Sequence, residues 1–496
     1  MPTNGSLRSA AADFPIVIIG CGFGGIGAGI QLKKAGVESF TIFERAAEVG
    51  GTWRDNTYPG AACDVPSHVY SFSFEQNPDW TRKYSPSAEI QAYLLGCVEK
   101  HGLRRHIRFR TAITSAAFDE TTGRWTLATD GGEVLQARVV ISAVGGLVDP
   151  KFPDIKGLDR FRGELFHTAR WNHACELAGK RVGVVGTGAS AVQVIPAIAP
   201  TVASLAVFQR TAAWVVPRGD AEISKNAKRR FRSHPLALRA FRAGLYLLSE
   251  LMGPMIILDS PRLSRLPEKM ARRHLESQVR DPELRRKLTA RFQFGCKRML
   301  VSDDYLATFE RDNVELVTDA IDEVRERGVV TRDGREHPLD ALVLATGFAL
   351  GLATAPFDVT GLGGRTLHDA WKSGAVAYKG LSVAGFPNWF ILMGPNTGPG
   401  HTSVLVYTEA QIRCAVQAIL KLRNEGLKYV TVKQSVQDDY NRSIQARMKH
   451  TVWASGCSSW YLNPDGENHA LFPGLAAEYN LRTRNFRPHE YEIVRA

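Results

Sequence analysis

Two stretches of the sequence share one pattern: IVIIGCGFGGIGAGI at residues 16–30 and RVGVVGTGASAVQVI at residues 181–195. In each, a short apolar run leads into a glycine-rich turn, and small and apolar residues follow at helical spacing. A buried parallel strand, a tight turn and a helix that packs back on the strand produce this pattern. The chain is therefore predicted to be an α/β protein with two such strand–turn–helix units.

The first stretch predicts a dinucleotide site of Rossmann type. Gly20, Gly22 and Gly25 satisfy the G-x-G-x-x-G spacing. The next predicted strand, Ser39–Arg45, carries an acid at Glu44, 24 residues after the first glycine. The first glycine makes the turn, the second lets a pyrophosphate approach the backbone, and the third lets the helix pack closely. An acid at the position of Glu44 accepts hydrogen bonds from ribose hydroxyls, which suits the ADP half of FAD.

The second stretch differs at the position that matches Glu44. Gly186, Gly188 and Ala191 give the G-x-G-x-x-A variant. The strand that follows ends at Arg210, again 24 residues after the first glycine. An arginine at this position accommodates a 2′-phosphate. The sequence therefore predicts FAD in the first site and NADPH in the second.

The order of the strands predicts how the two domains are connected. Two further strand-and-glycine segments, Val139–Pro150 and Asp340–Leu350, flank the second unit. Such segments mark where the chain crosses between domains in flavoproteins with two dinucleotides, so the NADPH domain is predicted to lie within the FAD domain. Residues from about 215 to 295 lack the Rossmann pattern and predict a helical insertion in the NADPH domain. The predicted division is 1–150 (FAD domain, first part), 151–345 (NADPH domain) and 346–496 (FAD domain, second part).

Composition and charge limit the class of partner. The chain has 496 residues and a net charge of +12, and much of the basic excess lies between Lys225 and Arg298. No nucleic-acid motif accompanies this excess, so we interpret it as a solvated helical face and expect no nucleic-acid partner. The seven cysteines show no CxxC or metal-ligand spacing. No metal site is therefore expected, and the odd number of cysteines favours free thiols in the reducing cytoplasm.

The sequence predicts no stable insertion into a membrane. Residues 1–13 lack the apolar core of a signal peptide. The most apolar window, Leu245–Leu258, has 14 residues and contains Glu250 and Pro254, so it is too short to span a bilayer. We expect a helix of the core there, with contact to a peripheral membrane or a hydrophobic substrate as the alternative. The protein is expected to be a monomer or a weak homodimer.

Two long motifs resemble the signatures of a known family. GGTWRDNTYPGAACD at residues 50–64 follows the first unit, and FRGELFHTARWN at residues 161–172 precedes the second. They are similar to the signatures (A/G)-G-x-W-x-x-x-x-(F/Y)-P-(G/M)-x-x-x-D and F-x-G-x-x-x-H-x-x-x-W-(P/D) of the type I Baeyer–Villiger monooxygenases. The first signature is met in full, whereas Asn172 replaces Pro or Asp in the second. His167 of the second signature is expected in the interdomain linker as a hinge or structural residue.

The resemblance implies roles for particular side chains. FGCKRMLVSDDY at residues 294–305 looks like the family's G-C-K-R-x-L segment. By this resemblance Arg298 is the active-site arginine, Asp64 holds it in place, and Lys297 contacts the NADPH 2′-phosphate. The cofactor-binding residues expected from the fingerprints and the resemblance together are Gly20, Gly22, Gly25, Glu44, Gly51, Thr52, Trp53, Asp64, Tyr70, Gly186, Thr187, Gly188, Ser190, Ala191, Gln193, Arg210, Thr211, Lys297, Asn396 and Trp460.

The resemblance also implies an activity. NADPH would reduce FAD, and reduced flavin with O2 would give a C4a-peroxyflavin. This species would insert one oxygen atom next to a ketone carbonyl to give an ester or lactone, and sulfides would be further substrates. Such chemistry needs a fixed positive charge beside the flavin, which Arg298 would supply. The apolar insertion suggests hydrophobic ketones.

Three other classes of flavoprotein are alternatives. A flavin-containing monooxygenase that oxygenates nitrogen or sulfur usually has Tyr where Trp171 stands, and the pair Lys297–Arg298 also argues against it. A flavin disulfide reductase needs a second cysteine near Cys63, and the sequence has none nearby. A flavoprotein that binds or senses without turnover is disfavoured by the presence of both Asp64 and Arg298.

Overall fold

The computed structural model describes residues 14–349, 356–456, 459–463 and 465–496. The strands are β1 Ile16–Ile19, β2 Phe40–Phe43, β3 Ile107–Arg108, β4 Ile113–Asp119, β5 Arg124–Thr129, β6 Val134–Ala137, β7 Val139–Ser142, β8 Glu164–His167, β9 Arg181–Val185, β10 Ser204–Phe208, β11 Val215–Val216, β12 Leu300–Val301, β13 Val314–Val317, β14 Ile321–Arg325, β15 Gly328–Thr331, β16 Glu336–Pro338, β17 Ala341–Leu344, β18 Asp358–Thr360, β19 Trp389–Ile391, β20 Leu427–Val432 and β21 Tyr491–Arg495. The helices are α1 Phe23–Lys34, α2 Thr52–Asp55, α3 Ser87–Lys100, α4 Ala191–Ile198, α5 Lys225–Ser233, α6 Pro235–Ile257, α7 Pro261–Gln278, α8 Pro282–Leu288, α9 Tyr305–Thr308, α10 Leu367–Ala370, α11 Val404–Asn424, α12 Gln434–Met448 and α13 Ala476–Thr483.

The first sheet is the centre of the FAD domain. Its order is β19-β7-β1-β2-β3, and all of its neighbouring strands are parallel. Ile16 and Ile18 pack in the cluster that contains helices α1 and α11, while Val17 and Ile19 pack against the sheet β18-β4-β5-β6. Both faces of β1 are therefore buried, which explains why every residue of this strand is apolar.

The second sheet is the centre of the NADPH domain. Its order is β13-β10-β9-β17-β8, again with parallel neighbours. Ala341 and Val343 of β17 pack in the cluster with helix α4, while Leu342 and Leu344 pack on the other face. The predicted class, an α/β protein with two Rossmann-like domains, is confirmed.

The two glycine-rich turns are built in the same way. Gly20 has φ +99°, and a Cβ on it would lie 2.6 Å from the carbonyl oxygen of Ala143. Gly186 has φ +117°, and its Cβ would lie 2.5 Å from the carbonyl oxygen of Ala345. Each turn thus passes over the backbone that follows a neighbouring strand, where any side chain would clash and where positive φ strains residues other than glycine.

Two chain segments connect the domains, and they are paired with each other. The Lys151 N–H donates to the Gly347 carbonyl at 2.9 Å, and the Ala349 N–H donates to the Asp149 carbonyl at 2.9 Å. We call residues 149–151 and 347–349 the crossover ribbon. The predicted boundaries at residues 150 and 345 fall in or beside this ribbon and remain our proposal for the division of the chain.

The structure corrects the predicted position of His167. This residue ends β8 and pairs with Leu344 of β17, so it lies in the edge strand of the second sheet and not in a linker. The sequence pattern of a four-residue edge strand is too short to separate from a loop.

A Cβ on Gly163, the glycine of the same signature, would lie 2.5 Å from the Asp340 carbonyl oxygen, so the close approach to the sheet requires glycine.

Asn172 performs a local role that an aspartate could also perform. Its Oδ1 accepts a hydrogen bond from the Ala174 N–H at 3.1 Å, two residues ahead in the chain. Asp and Asn side chains both form this kind of turn. The departure from the family signature therefore leaves the local backbone intact.

The helical insertion consists of α5 to α8, and its longest helix corrects a prediction. Helix α6 has 23 residues and, among the described residues, is the one helix long and apolar enough to cross a membrane by length and composition. Only 22% of its apolar window is buried, so it is not the core helix that was expected. The sequence window of 14 residues missed the first half of the helix, because Arg239 and Arg242 interrupt the apolar run there.

The cysteines in the described part of the chain are buried, and one of them contradicts the expectation. Cys21, Cys63, Cys97, Cys175 and Cys414 are free, as predicted. Cys296 is disulfide-bonded, so the prediction of a free thiol is wrong at this position. Spacing along the chain does not show which cysteines meet in space, which is why the sequence gave no sign of the bond.

We expect Gly25→Ala to destabilise the protein by about 3 kcal/mol or more, because its Cβ would lie 1.9 Å from the Gly20 carbonyl oxygen. The matched control is Gly96→Ala in α3, where a Cβ meets no described atom within 4 Å. This substitution should raise the free energy of unfolding by at most about 1 kcal/mol. Urea unfolding of both variants tests this. Equal stability of the two variants would contradict the close packing.

Candidate active site

The first signature forms a loop, residues 50–64, that we call the signature loop. The Ser87 hydroxyl lies within hydrogen-bond distance of two of its carbonyls, that of Trp53 at 2.9 Å and that of Asn56 at 2.8 Å. The Cys63 N–H donates to the Ser85 carbonyl at 3.0 Å. These contacts with the start of α3 fix both ends of the loop within the FAD domain.

The middle of the signature loop docks on the NADPH domain. The Tyr58 hydroxyl donates to Gln193 Oε1 at 2.8 Å, and Gln193 Nε2 donates to the Ala62 carbonyl at 3.0 Å. A Cβ on Gly60 would lie 2.6 Å from the Gln193 carbonyl oxygen. Gln193 was expected to bind cofactor; its side chain instead joins the two domains, and a contact of this residue with NADPH remains a prediction.

Asp64 and Arg298 meet in the cleft between the domains. Arg298 Nη2 donates to Asp64 Oδ2 at 2.6 Å, and Arg298 Nε donates to the same oxygen at 3.1 Å. The Arg298 side chain is 43% exposed and the Asp64 side chain is 26% exposed, so both reach the cleft. The charge of Asp64 raises the pKa of Arg298 above its ordinary value, and the guanidinium is therefore permanently charged.

The segment that carries Arg298 is closely packed against α6 and Trp453. Gly295 has φ +88°, and a Cβ on it would lie 2.6 Å from the carbonyl oxygen of Ile256 in α6. The Trp453 indole N–H donates to the Gly295 carbonyl at 3.2 Å. After Arg298 the chain enters β12, which pairs with β11. The backbone is therefore fixed both before Arg298, at Gly295, and after it, in β12.

The FAD side of the cleft contains the predicted acid beside the glycine turn. Glu44 is buried and accepts hydrogen bonds from the Cys21 N–H and from Arg54 Nη1, each at 2.9 Å. Gly22 and Gly51 face each other, because a Cβ on Gly51 would lie 3.2 Å from the Gly22 Cα. These two glycines leave a cradle without side chains next to an acid, which fits the ribose and pyrophosphate of FAD.

Asn396 offers a further contact for a flavin. It has φ +55°, and its Nδ2 donates to the carbonyls of Asn468 at 2.8 Å and Leu471 at 3.0 Å. Its Oδ1 is buried and has no hydrogen-bond partner among the described residues. Buried acceptors are nearly always paired, so this oxygen fits an N–H donor of a bound group. Tyr70, another predicted contact, accepts from the Trp53 indole N–H at 3.2 Å.

The NADPH side of the cleft brings two cations together. Burial, and after it the charge of Arg210, lower the pKa of Lys297, so the two positive charges lie within electrostatic range of each other. Thr211 follows Arg210 in the sequence, and its carbonyl accepts a hydrogen bond from the Thr187 hydroxyl of the glycine turn at 3.1 Å. A Cβ on Gly188 would meet no atom within 4 Å. A cationic pair beside an open glycine turn fits a 2′-phosphate and a pyrophosphate.

The side chain of Trp460 is exposed on the surface. It is 54% exposed and its ring centroid lies 4.2 Å from that of Tyr461. It is therefore not a packed aromatic of the core, and its contact with the nicotinamide ribose remains a prediction. Burial raises the pKa of Tyr461 to about 12, so this neighbour of Arg298 stays protonated.

Comparison with known proteins agrees with this geometry. The family model for flavin-binding monooxygenase-like proteins matches residues 14–358. A Baeyer–Villiger monooxygenase of Pseudomonas aeruginosa is 43% identical over 98% of this chain and 92% of its own length. The chain belongs to the Baeyer–Villiger monooxygenases. Two solved structures of similar fold are an oxidized steroid monooxygenase bound to NADP (TM-score 0.87, 31% identity, 97% of this chain and 100% of that one) and OTEMO in complex with FAD and NADP (TM-score 0.87, 27% identity, 97% and 99%).

Membership in the Baeyer–Villiger monooxygenases supports FAD and NADP as the cofactors and favours this activity over the N- or S-oxygenating alternative. The structure brings together Asp64 with Arg298, Arg210 with Lys297, and Glu44 with the first glycine turn. Sequence reasoning missed Arg54, which pairs with Glu44, although its place inside the first signature was a usable signal.

We expect Arg210→Ala to raise the KM for NADPH by about 10- to 100-fold, because a charge-assisted hydrogen bond to the 2′-phosphate is lost. The KM for NADH, which lacks this phosphate, should change little. Steady-state kinetics with both cofactors measures the ratio. The control is Arg327→Ala, an exposed arginine elsewhere in the NADPH domain. An equal rise for NADH would show that the residue does not read the phosphate.

His167 should make the protein sensitive to acid. Burial lowers its pKa to about 4, while an unfolded chain binds the proton near pH 6.5. The neutral, folded form is therefore fully favoured above pH 6.5, and up to about 3 kcal/mol is lost as the pH falls to about 4. His167→Asn should flatten the stability profile in this window, and exposed His489→Asn should not. Parallel profiles for both variants would argue against a buried neutral His167.

Proposed function

We propose that Arg298 and Asp64 are the catalytic pair of this Baeyer–Villiger monooxygenase and that hydrophobic ketones are its substrates. The observation that carries the proposal is the orientation of the guanidinium. Asp64 engages Nε and Nη2, while Nη1 makes no hydrogen bond with any residue of the described ranges. A permanently charged donor is thus held in the cleft with one N–H group available to a reacting oxygen.

The chain's own residues supply charge, orientation and shape. Bound FAD would supply the activation of O2, and NADPH would supply the hydride. Arg298 would stabilise the negative charge that develops on the ketone oxygen when the carbonyl is attacked. Asp64 positions the arginine, because two hydrogen bonds to one oxygen fix the guanidinium plane. Arg298 comes from the NADPH domain and Asp64 from the FAD domain, so the pair forms only when the two domains are apposed.

The proposed cofactor contacts follow the two glycine turns. We assign to FAD the residues Gly20, Gly22, Gly25, Glu44, Gly51, Thr52, Trp53, Asp64, Tyr70 and Asn396. We assign to NADPH the residues Gly186, Thr187, Gly188, Ser190, Ala191, Gln193, Arg210, Thr211, Lys297 and Trp460. The glycine cradle, the unpaired Asn396 oxygen and the cationic pair support these assignments.

The class of substrate follows from the surroundings of the arginine. The segment that carries Arg298 contributes Cys296 to a buried apolar cluster with Ile257, Trp453 and Tyr461, and this apolar environment supports an apolar ketone. We also propose that the protein acts in the cytoplasm as a monomer or weak homodimer.

We expect Arg298→Ala to lower the rate of ester formation by at least about 100-fold while NADPH is still oxidised, since the lost charge acts on the oxygenation step. Asp64→Ala should lower it by a smaller factor, and Asp64→Asn should recover part of the loss. Ester formed, NADPH consumed and H2O2 released are measured together. The control is Arg181→Ala, which breaks an Arg–Asp pair away from the cleft. Unchanged ester yield per NADPH in Arg298→Ala would contradict the proposal.

A further inference from the structure

Helix α6 presents apolar side chains to solvent along one face. Leu247 and Leu251 are 59% and 65% exposed, and Leu236 and Leu248 are also exposed. Ala240 and Gly244 lie between them at helical spacing and complete a continuous stripe without charge. A surface helix of a globular protein normally has the opposite arrangement, with its apolar face toward the core.

The inner face of α6 buries apolar side chains and also makes polar contacts with the FAD domain. Glu250 is buried and is hydrogen-bonded to His401 Nε2 at 3.1 Å, and the Ser249 hydroxyl lies 2.9 Å from Thr402 Oγ1. Arg242 donates from Nη1 to the carbonyl of Ser71 at 3.0 Å. A helix with these buried polar partners does not leave the protein to span a bilayer, so its outer stripe must be explained by something that covers it.

Helix α7 continues the exposed apolar surface. Leu266 is exposed on it and Met270 is partly exposed. Both line an open groove of about 420 Å³, together with Lys269 and Arg273. The groove therefore has apolar walls and a basic rim, the arrangement that a phospholipid headgroup and the first part of its acyl chain would fit.

The positive charge around the stripe favours a partner with a negatively charged surface. Residues 225–278 contain twelve lysines and arginines against four acids, and one of these acids, Glu250, is buried against His401. A second copy of this chain placed on the stripe would bring two basic surfaces together, which costs free energy. An anionic bilayer has the complementary charge, and basic helices with an apolar face bind such surfaces in the interfacial plane.

We propose that helices α5, α6 and α7 form a docking surface for an anionic phospholipid bilayer. The leucines of α6 enter the interface, and the basic side chains of α5 and α7 contact the headgroups. Ile256, at the end of α6, lies against Gly295 of the segment that carries Arg298. Docking therefore places the active-site cleft beside the phase in which apolar ketones accumulate.

The test uses the purified holoenzyme and sedimentation with unilamellar vesicles of phosphatidylcholine, with or without phosphatidylglycerol. We expect binding to the vesicles that contain phosphatidylglycerol, weakened by salt, and little binding to phosphatidylcholine alone. The double variant Leu248→Glu/Leu251→Glu should bind at least about tenfold more weakly, because two leucines no longer enter the interface. The control Leu481→Glu alters a leucine that is 68% exposed on α13, and it should bind as the parent does.

Retention of FAD and the unfolding temperature report whether each variant is folded, and the comparison of the two vesicle types needs no variant. The proposal is overturned if the parent enzyme does not bind anionic vesicles or if Leu481→Glu weakens binding equally. It is also overturned if the enzyme ignores vesicles but is a dimer that Leu248→Glu/Leu251→Glu converts to monomers, because a second copy then covers the stripe.

Discussion

The ion pair between Arg298 and Asp64 is the constraint on which the cleft depends. Each partner comes from a different domain, and each is delivered by a segment that cannot shift freely. The signature loop is held by Ser87 on one side and by Gln193 on the other, whereas the arginine segment is held by Ile256 and Trp453. Removing two charged side chains from water costs free energy. That desolvation cost is reduced here because the guanidinium of Arg298 keeps part of its surface accessible.

The two nucleotide turns show how one physical solution serves two ligands. In both, a glycine with positive φ passes over an alanine carbonyl, and the second glycine leaves its surroundings free of side chains. The difference is confined to the residue at the end of the next strand, where Glu44 is paired with Arg54 and the charge of Arg210 acts on Lys297. The backbone thus binds what the two cofactors share, and one side chain distinguishes them.

Much of the fold could be predicted, because the strands of both parallel sheets are buried on two faces and read as short apolar runs. The turns and the acid–arginine difference were also visible, since they depend on local spacing. The role of Gln193 and the disulfide of Cys296 depend on contacts across the fold, and no local pattern reports them. The outward face of α6 was hidden for the same reason: leucines indicate burial, but the direction they face is set by Glu250 and its distant partner His401.

The crossover ribbon gives the molecule a defined axis. Two antiparallel segments joined by hydrogen bonds resist sliding of one domain across the other, whereas twisting about their common direction strains them least. The carbonyls of Ala143 and Ala345, which support the two glycine turns, lie only a few residues from this ribbon. A ligand of either nucleotide turn that favours one orientation of the domains must, by reciprocity, bind more tightly when that orientation is imposed.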